Sequence, residues 1–558
     1  MLPTFASNKI ALFLRVVAPD PRLPREYLGR DMMKHLKFWI FLWVTSASWG
    51  IVNGQIGAGN FAGNVPKVAD VGAARLPATI APVKAPFPMP AFKKPVFPAL
   101  TINIHDKGAR EGAMVTKVIQ AAIDEAAAKK GGTVVIPRGI WKTGRISLKS
   151  NVNLHVSEGA ELHFSPEIED YLPAVFTRNE GVELMSLGAL IYANGQENIA
   201  VTGNGKLVGP PDGPVRKRYM NVNVIEKVVP ADKPVHERVY EGKDGGFIFP
   251  PMFISPINCK KVYIEGITLE NTPFWNVVPV YCDHVVIRGI TVRSVGIPRG
   301  DGIDIESSRN VLIEYCTLSC GDDCFTIKAG RGDDGIRVNK PTENVVIRHC
   351  LAREGHGGIT CGSETAGMIR NVYVHDCVFD DTDTGLRFKT RRSRAGGGDN
   401  LTYERIRMIL RGDAVKFDML GSRQYVGELA DRLPARPVDK LTPGYRNITA
   451  RNIIVEKART FIDITGIPES PATNLLIENA DVHARTAFKA SDALGVTVRN
   501  ASLTVTDSLL RGLDIRNVLF EEVVFKTPQK RIWMDVEGEN SKNIRFNECL
   551  PAKPEGWE

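Results

Sequence analysis

The chain has 558 residues, 43% of them hydrophobic and 24% charged, which fits a folded globular protein and excludes a disordered or collagen-like one. Its formal net charge is +8, but residues 1–54 hold seven Lys/Arg against three Asp/Glu, so half of that charge sits there. The remaining balance is mildly basic, which suits an anionic polymer and does not argue for nucleic acid.

In chain order, Met33-Lys34-His35-Leu36-Lys37 precedes the apolar run 38–44, and small residues follow up to Gly54. A basic start, a short apolar core and a small-residue end predict a secretory signal peptide. The run is short for a membrane span, which leaves a membrane anchor as the weaker alternative. Residues 1–54 are therefore read as an N-terminal extension plus signal peptide, with translation starting at Met32 or Met33. The mature chain is expected in the periplasm or outside the cell, with no stable membrane insertion. Residues 55–100 form a lead-in, where Pro86, Pro88, Pro90, Pro95 and Pro98 predict extended polyproline character. The segment 114–129 places Val115, Ile119, Ala122 and Ile123 on one helical face, and Gly131-Gly132 stop it. The run 133–137 reads as the first strand. A short helix before it could cap the open end of a stack of strands.

From residue 261 onward a short pattern recurs, with apolar residues at offsets 0, +2, +5 and +7. It reads Val262/Ile264/Ile267/Leu269, Val285/Ile287/Ile290/Val292 and Val311/Ile313/Cys316/Leu318. It continues as Val345/Ile347/Cys350/Ala352 and Val372/Val374/Cys377/Phe379. Weaker copies are expected to start at Ile199, Leu401, Ile448, Leu475, Val496, Leu513 and Ile544. Offsets 0 and +2 share one face of a strand, and the change of phase marks a bend into a second strand. Units this short bury their apolar face only by stacking. The copies start at irregular intervals, which suits short strands joined by loops of variable length. The expected fold is all-β: a single-stranded, right-handed parallel β-helix over residues 101–558, with a short N-terminal capping helix. The segments 210–250 and 409–444 read as long insertions between copies, and long loops in compact domains are commonly functional.

Asn310, Asn344, Asn371, Asn400, Asn447, Asn474 and Asn543 each precede the first apolar position. They predict a ladder of turn asparagines rather than catalysis. Nine cysteines cannot all pair with one another. Cys316, Cys350 and Cys377 share offset +5 and read as small hydrophobes in an interior stack. Zinc is the poorer reading, because no Cys-x-x-Cys pair occurs.

Four features fall on successive copies: Asp301, then Asp322-Asp323, then Gly355-His356-Gly357, then Arg387-Phe388-Lys389. In a stack with coils ~4.8 Å apart these gather acids, an imidazole and two cations on one face. Clustered carboxylates repel, which raises the pKa of one member. One acid can then hold a proton while another stays ionised, the division that glycoside hydrolysis needs. Arg387 and Lys389 share one strand face and could bind the carboxylate of a uronic acid, while Phe388 points inward. Asp304 and Glu306 read as turn or strand-exit residues, and Asp333-Asp334 as a turn.

These four motifs resemble those of glycoside hydrolase family 28, the pectin-degrading polygalacturonases, whose pattern is Asn-Thr-Asp, Asp-Asp, Gly-His-Gly and Arg-Ile-Lys. The run from Asn103-Ile104-His105-Asp106 through Gly159-Ala160 is similar to that family's entry segment. The resemblance implies a pectin lyase-like β-helix and cleavage of α-1,4 bonds between galacturonic acid units by inversion, without metal or cofactor. It assigns Asp322 as general acid, Asp301 and Asp323 as activators of the attacking water, and His356 as the residue that tunes the acid. Arg387 and Lys389 would grip substrate carboxylates. Tyr425 is the candidate for the family's substrate-binding tyrosine. Two positions depart from the pattern: Arg299-Gly300 replace Asn-Thr before Asp301, so the support of that acid must differ, and Phe388 replaces Ile. The partner is expected to be an anionic pectic polysaccharide or oligogalacturonide, cut from a chain end if the insertions wall off the groove. A rhamnogalacturonan hydrolase, a calcium-dependent pectate lyase and a non-catalytic polysaccharide-binding β-helix are the competing readings.

Overall fold

The computed structural model describes residues 61–216, 225–243 and 246–557. The signal-like segment lies outside them. The chain divides into Met1–Ile56 and Gly57–Glu558, and the described residues all belong to the second unit.

That unit is a right-handed parallel β-helix built from three ladders of parallel strands. In the first, Val262, Val285, Val311, Val345, Val372, Leu401, Ile448 and Leu475 stand in register, one per coil. Offsets 0, +2, +5 and +7 all point inward and are buried, so the repeat is the cross-section of the core. The copy expected at Leu513 is shifted: Val496 pairs with Val518 and Val518 with Ile544. Leu513 instead follows Ser491 in the third ladder. Leu513 and Ile515 mimic the spacing of Val518 and Phe520, and only pairing separates the two phases.

The predicted asparagines sit at the bend before the first ladder with φ between +54° and +57°. This left-handed region is tolerated by Asn because its side chain bonds locally. Asn344 Nδ2 donates to Asn310 Oδ1 at 3.3 Å, Asn371 to Asn344 at 3.0 Å, and Asn400 to Asn371 at 2.7 Å. All nine cysteines are free and buried, and Cys350 Sγ accepts a hydrogen bond from the backbone N–H of Cys316 in the adjacent coil.

The capping helix spans Thr116–Ala128 and buries Ile119, Ala122, Ile123 and Ala126 against the first strands. The first strand is not the run at 133–137 but Thr101–Asn103, which pairs with Thr133–Val135. Three residues are too few to carry a periodic signal. The lead-in contains three single 3-10 turns within residues 62–75 and has neither helix nor strand from 76 to 100. It does not stand off from the solenoid. Phe87 and Phe92 cover an outward apolar row formed by Ala200, Tyr263, Val286, Leu312, Val346 and Tyr373. Arginines of the same sheet grip its carbonyls: Arg288 Nη2 donates to Pro77 O at 2.9 Å and Arg348 Nη2 to Ala81 O at 2.7 Å. The strap therefore runs along the stack and blocks an otherwise apolar sheet face.

The third ladder positions the site. Ile303–Glu306, Phe325–Lys328, Gly355–Cys361, Ile369–Lys389 and Asp413–Asp418 follow one another in it. The insertion expected at 409–444 is shorter than read, because Asp413–Asp418 is a strand of this ladder and only residues 419–443 leave the stack.

Candidate active site

Strand alternation makes the floor of the site. Ile303, Phe325, Ile359 and Leu386 form one inward row of the third ladder. The next residue in each strand points outward: Asp304, Thr326, Thr360 and Arg387. Two residues further, Glu306 stands beside Lys328, and Lys389 beside Asp418. Phe388, between the two cations, is buried and stacks on Phe417 at 4.6 Å between ring centroids.

The structure brings all the sequence-predicted residues together. Asp301, Asp322 and Asp323 each present an oxygen within 4.8 Å of the others. Their side chains grade from open to closed: Asp322 is 25% exposed, Asp301 4% and Asp323 1%. Asp323 reaches across two coils. It accepts from Thr360 Oγ1 at 2.9 Å, from Arg387 Nη1 at 3.1 Å and from Lys389 Nζ at 2.7 Å. His356 Nδ1 lies 3.0 Å from Asp322 Oδ1, and its ring is half exposed. The flanking glycines are steric necessities: a Cβ at Gly357 would meet Thr360 Oγ1 at 2.2 Å and Asp323 Oδ1 at 2.8 Å. One at Gly355 would meet Cys324 Sγ at 2.8 Å.

Burial pushes the Asp301 carboxyl well above the usual range, and repulsion from Asp304 and Asp322 adds to it. Burial also raises Asp304, to about 7, against the pull of Lys328. Burial would raise Asp323 too, but Lys389 and Arg387 overcome it and hold that group well below the carboxylate range. His356 is raised by its hydrogen bond to Asp322. The cluster thus contains carboxyls driven in opposite directions, Asp301 toward its protonated form and Asp323 toward its ionised form.

Asp304 and Glu306 are not turn residues. Both are fully buried in Ile303–Glu306 and face outward beneath the site. Lys328 completes this layer. Its Nζ lies 3.5 Å from Asp304 Oδ1, 3.4 Å from Glu364 Oε2 and 3.9 Å from Asp301 Oδ2, and stands 4.5 Å over the Trp275 ring. The alternation Phe325-Thr326-Ile327-Lys328 carried the signal for its outward direction, but neither its burial nor its partners follow from alternation. Asp333-Asp334 open the short helix Gly332–Val338, where Asp334 pairs with Arg238 at 2.9 Å.

The replacement of Asn-Thr by Arg299-Gly300 has a structural consequence. Arg299 Nη1 turns away to Glu180 at the tip of the hairpin formed by Val175–Asn179 and Val182–Ser186. Asn276 Nδ2 instead donates to the Asp301 carbonyl at 2.8 Å. Glu180 also accepts from Arg331 at 3.1 Å, and Arg331 pairs with Glu226 from the first insertion. Tyr425, from the second insertion, lines the same pocket as Trp275 and Glu180. The hairpin and the second insertion therefore line one open pocket with Asp301, Asp322, Asp323, Lys328 and Lys389, and Glu226 of the first insertion supports it through Arg331.

Residues 243–486 match the model of Glycosyl hydrolases family 28. The chain is 26% identical to an exo-poly-alpha-D-galacturonosidase of Dickeya chrysanthemi, over 75% of this chain and 71% of that protein. It is 28% identical to an endo-polygalacturonase of Pectobacterium carotovorum subsp. carotovorum, over 53% and 70% respectively. Among solved structures, a hyperthermoactive exopolygalacturonase from Thermotoga maritima superposes with a TM-score of 0.62 at 29% identity, covering 71% of this chain and 90% of that one. With the four motifs assembled on a parallel β-helix, the chain is a glycoside hydrolase similar over residues 243–486 to glycosyl hydrolases family 28, the polygalacturonase family.

Proposed function

We propose that this enzyme hydrolyses α-1,4 bonds between galacturonic acid units of pectin or its oligomers, with inversion and from a chain end. The observation that carries the substrate is the joining of three carboxylates to Arg387 and Lys389 in one pocket.

Asp322 is the general acid. It is the most open of the three, so it can reach the glycosidic oxygen, and His356 fixes its outer oxygen. Asp301 and Asp323 hold the attacking water, since oxygens within 4.8 Å can share one water at ~2.8 Å from each. The water oxygen bonds to the anomeric carbon and its proton passes to Asp301. The bond from that carbon to the leaving oxygen breaks, and the leaving oxygen takes the proton of Asp322. Asp323 stays ionised between its two cations. A raised pKa makes Asp301 the stronger base once it is ionised.

Chain-end action is supported by the pocket lining. Glu180, Arg331 and Tyr425, from three separate excursions of the chain, line the same pocket as the carboxylates. Product chromatography of polygalacturonate digests tests it: saturated monomer supports exo action, mixed saturated oligomers make the enzyme endo, and cleavage of rhamnogalacturonan alone replaces the substrate. The carboxylate spacing favours one second reading. Oxygens this close fall short of the ~6.5–9.5 Å usual for inversion and suit retention instead. Proton NMR of the anomer first released separates the two. Export is inferred from residues 33–54 alone, and N-terminal sequencing of secreted material tests it; a mature chain beginning before Asp31 would overturn it.

A further inference from the structure

The cations expected to hold substrate are partly occupied already. Arg387 and Lys389 both bind Asp323. Arg331 is shared between Glu180 and Glu226, and Arg394 stands 3.5 Å from Glu226 and 3.9 Å from Glu364. Glu364 in turn is the nearest anion to Lys328. Arg391 differs from all of these. It lines the same pocket, yet none of the ion pairs among the described residues includes it. Its Nη1 is buried and has no hydrogen-bond partner among the described residues. The guanidinium lies 4.4 Å over the ring of Tyr425, which holds it flat without using any of its N–H donors.

A buried, unpartnered donor of a charged group is costly unless something else satisfies it. A planar guanidinium fixed on one face presents its donor edge in the geometry that binds a carboxylate through two parallel hydrogen bonds. We propose that Arg391, seated on Tyr425, is a second carboxylate-binding subsite, which takes the acid group of the uronic acid lodged against the Tyr425 side of the pocket. This rests on the uronic-acid reading of the substrate. It separates two recognition tasks: Lys389 and Arg387 serve the unit beside Asp323, and Arg391 serves the unit beside Tyr425. A sugar whose carboxylate is masked as a methyl ester loses the second contact.

The test measures binding apart from turnover. Digalacturonate and its dimethyl ester are titrated calorimetrically into Asp322→Asn, and into the same protein carrying Arg391→Gln or Arg391→Lys, while the wild type is assayed for cleavage separately. The expected result is a Kd for digalacturonate at least tenfold higher with Arg391→Gln and intermediate with Arg391→Lys, which keeps the charge but not the fork. The ester should bind weakly and equally in all three. An unchanged Kd with Arg391→Gln, or no binding of digalacturonate to any of them, overturns the subsite. Cleavage by the wild type together with an unchanged Kd would leave the hydrolase reading standing without it. A weakened Kd with no cleavage by the wild type would keep the subsite and overturn the hydrolase reading. Arg391→Lys guards against misfolding of the glutamine variant.

Discussion

Lys328 Nζ stands 3.5 Å from Asp304 Oδ1 beneath the active-site pocket, with both side chains shut off from water. This pair belongs to adjacent coils, and it places one buried cation among Asp301, Asp304 and Glu364. Breaking such a group by removing one partner leaves an uncompensated buried charge, at a cost of roughly 3–5 kcal/mol. Lys328→Met is therefore expected to lower stability by that order in urea unfolding at pH 7. Lys328 also lowers the pKa of Asp301 and Asp304. Its loss should move the acidic limb of the pH–rate profile to higher pH, a shift that a purely structural defect would not produce.

Asp322→Asn should fold normally, because Asp322 is partly exposed and an amide oxygen can still meet His356 Nδ1. Its turnover is expected to fall about 10²- to 10⁴-fold, the usual contribution of a general acid. Melting temperature and specific activity on polygalacturonate, measured together, check both halves. Retained turnover would remove Asp322 from the acid role.

Stability should be greatest in mildly acidic buffer. Asp304 and Glu306 are each raised to about 7 by burial. Their unfolded pKa values are near 3.9 and 4.3. Between those values and about 7 the folded protein holds more protons than the unfolded chain, so stability falls as pH rises through that window. Asp323 has the opposite sign. Its folded pKa is depressed, so its contribution is present above about 3.9 and is lost as pH falls below it. Thermal melts from pH 3 to 9 should peak between about 4 and 6. Glu306→Gln should flatten the fall toward neutral pH.

The strap over residues 61–100 should matter to stability and not to chemistry. Phe92 packs on the outward row that includes Tyr263 and Val286, on the first ladder rather than the third. Phe92→Ala should cost about 2–4 kcal/mol, slightly less than a fully buried phenylalanine because an edge stays open. Urea unfolding reads the loss, and turnover per folded molecule should be unchanged. A change in KM without a change in stability would instead tie the strap to the site.

Much of this protein was legible in its residues because the β-helix writes itself as a short repeat. The offsets 0, +2, +5 and +7 are a coil seen in cross-section, and the asparagines mark its bends, since a left-handed residue is needed at each one. The order Asp301, Asp322-Asp323, His356, Arg387, Lys389 places the reacting groups on successive coils. The false copy at Leu513 shows where spacing fails: two phases of the same apolar pattern differ only in which strand they pair with. The tertiary structure alone decided the rest. It buried Asp304, Glu306 and Lys328 beneath the pocket, because loops from distant parts of the chain close over an outward sheet face that alternation marks as exposed. It also joined Glu180 and Tyr425, which have no common sequence pattern, in the lining of one site, with Glu226 paired to Arg331 behind it. Local periodicity reports which way a side chain leaves its strand; what then covers that side chain depends on contacts across more than a hundred residues.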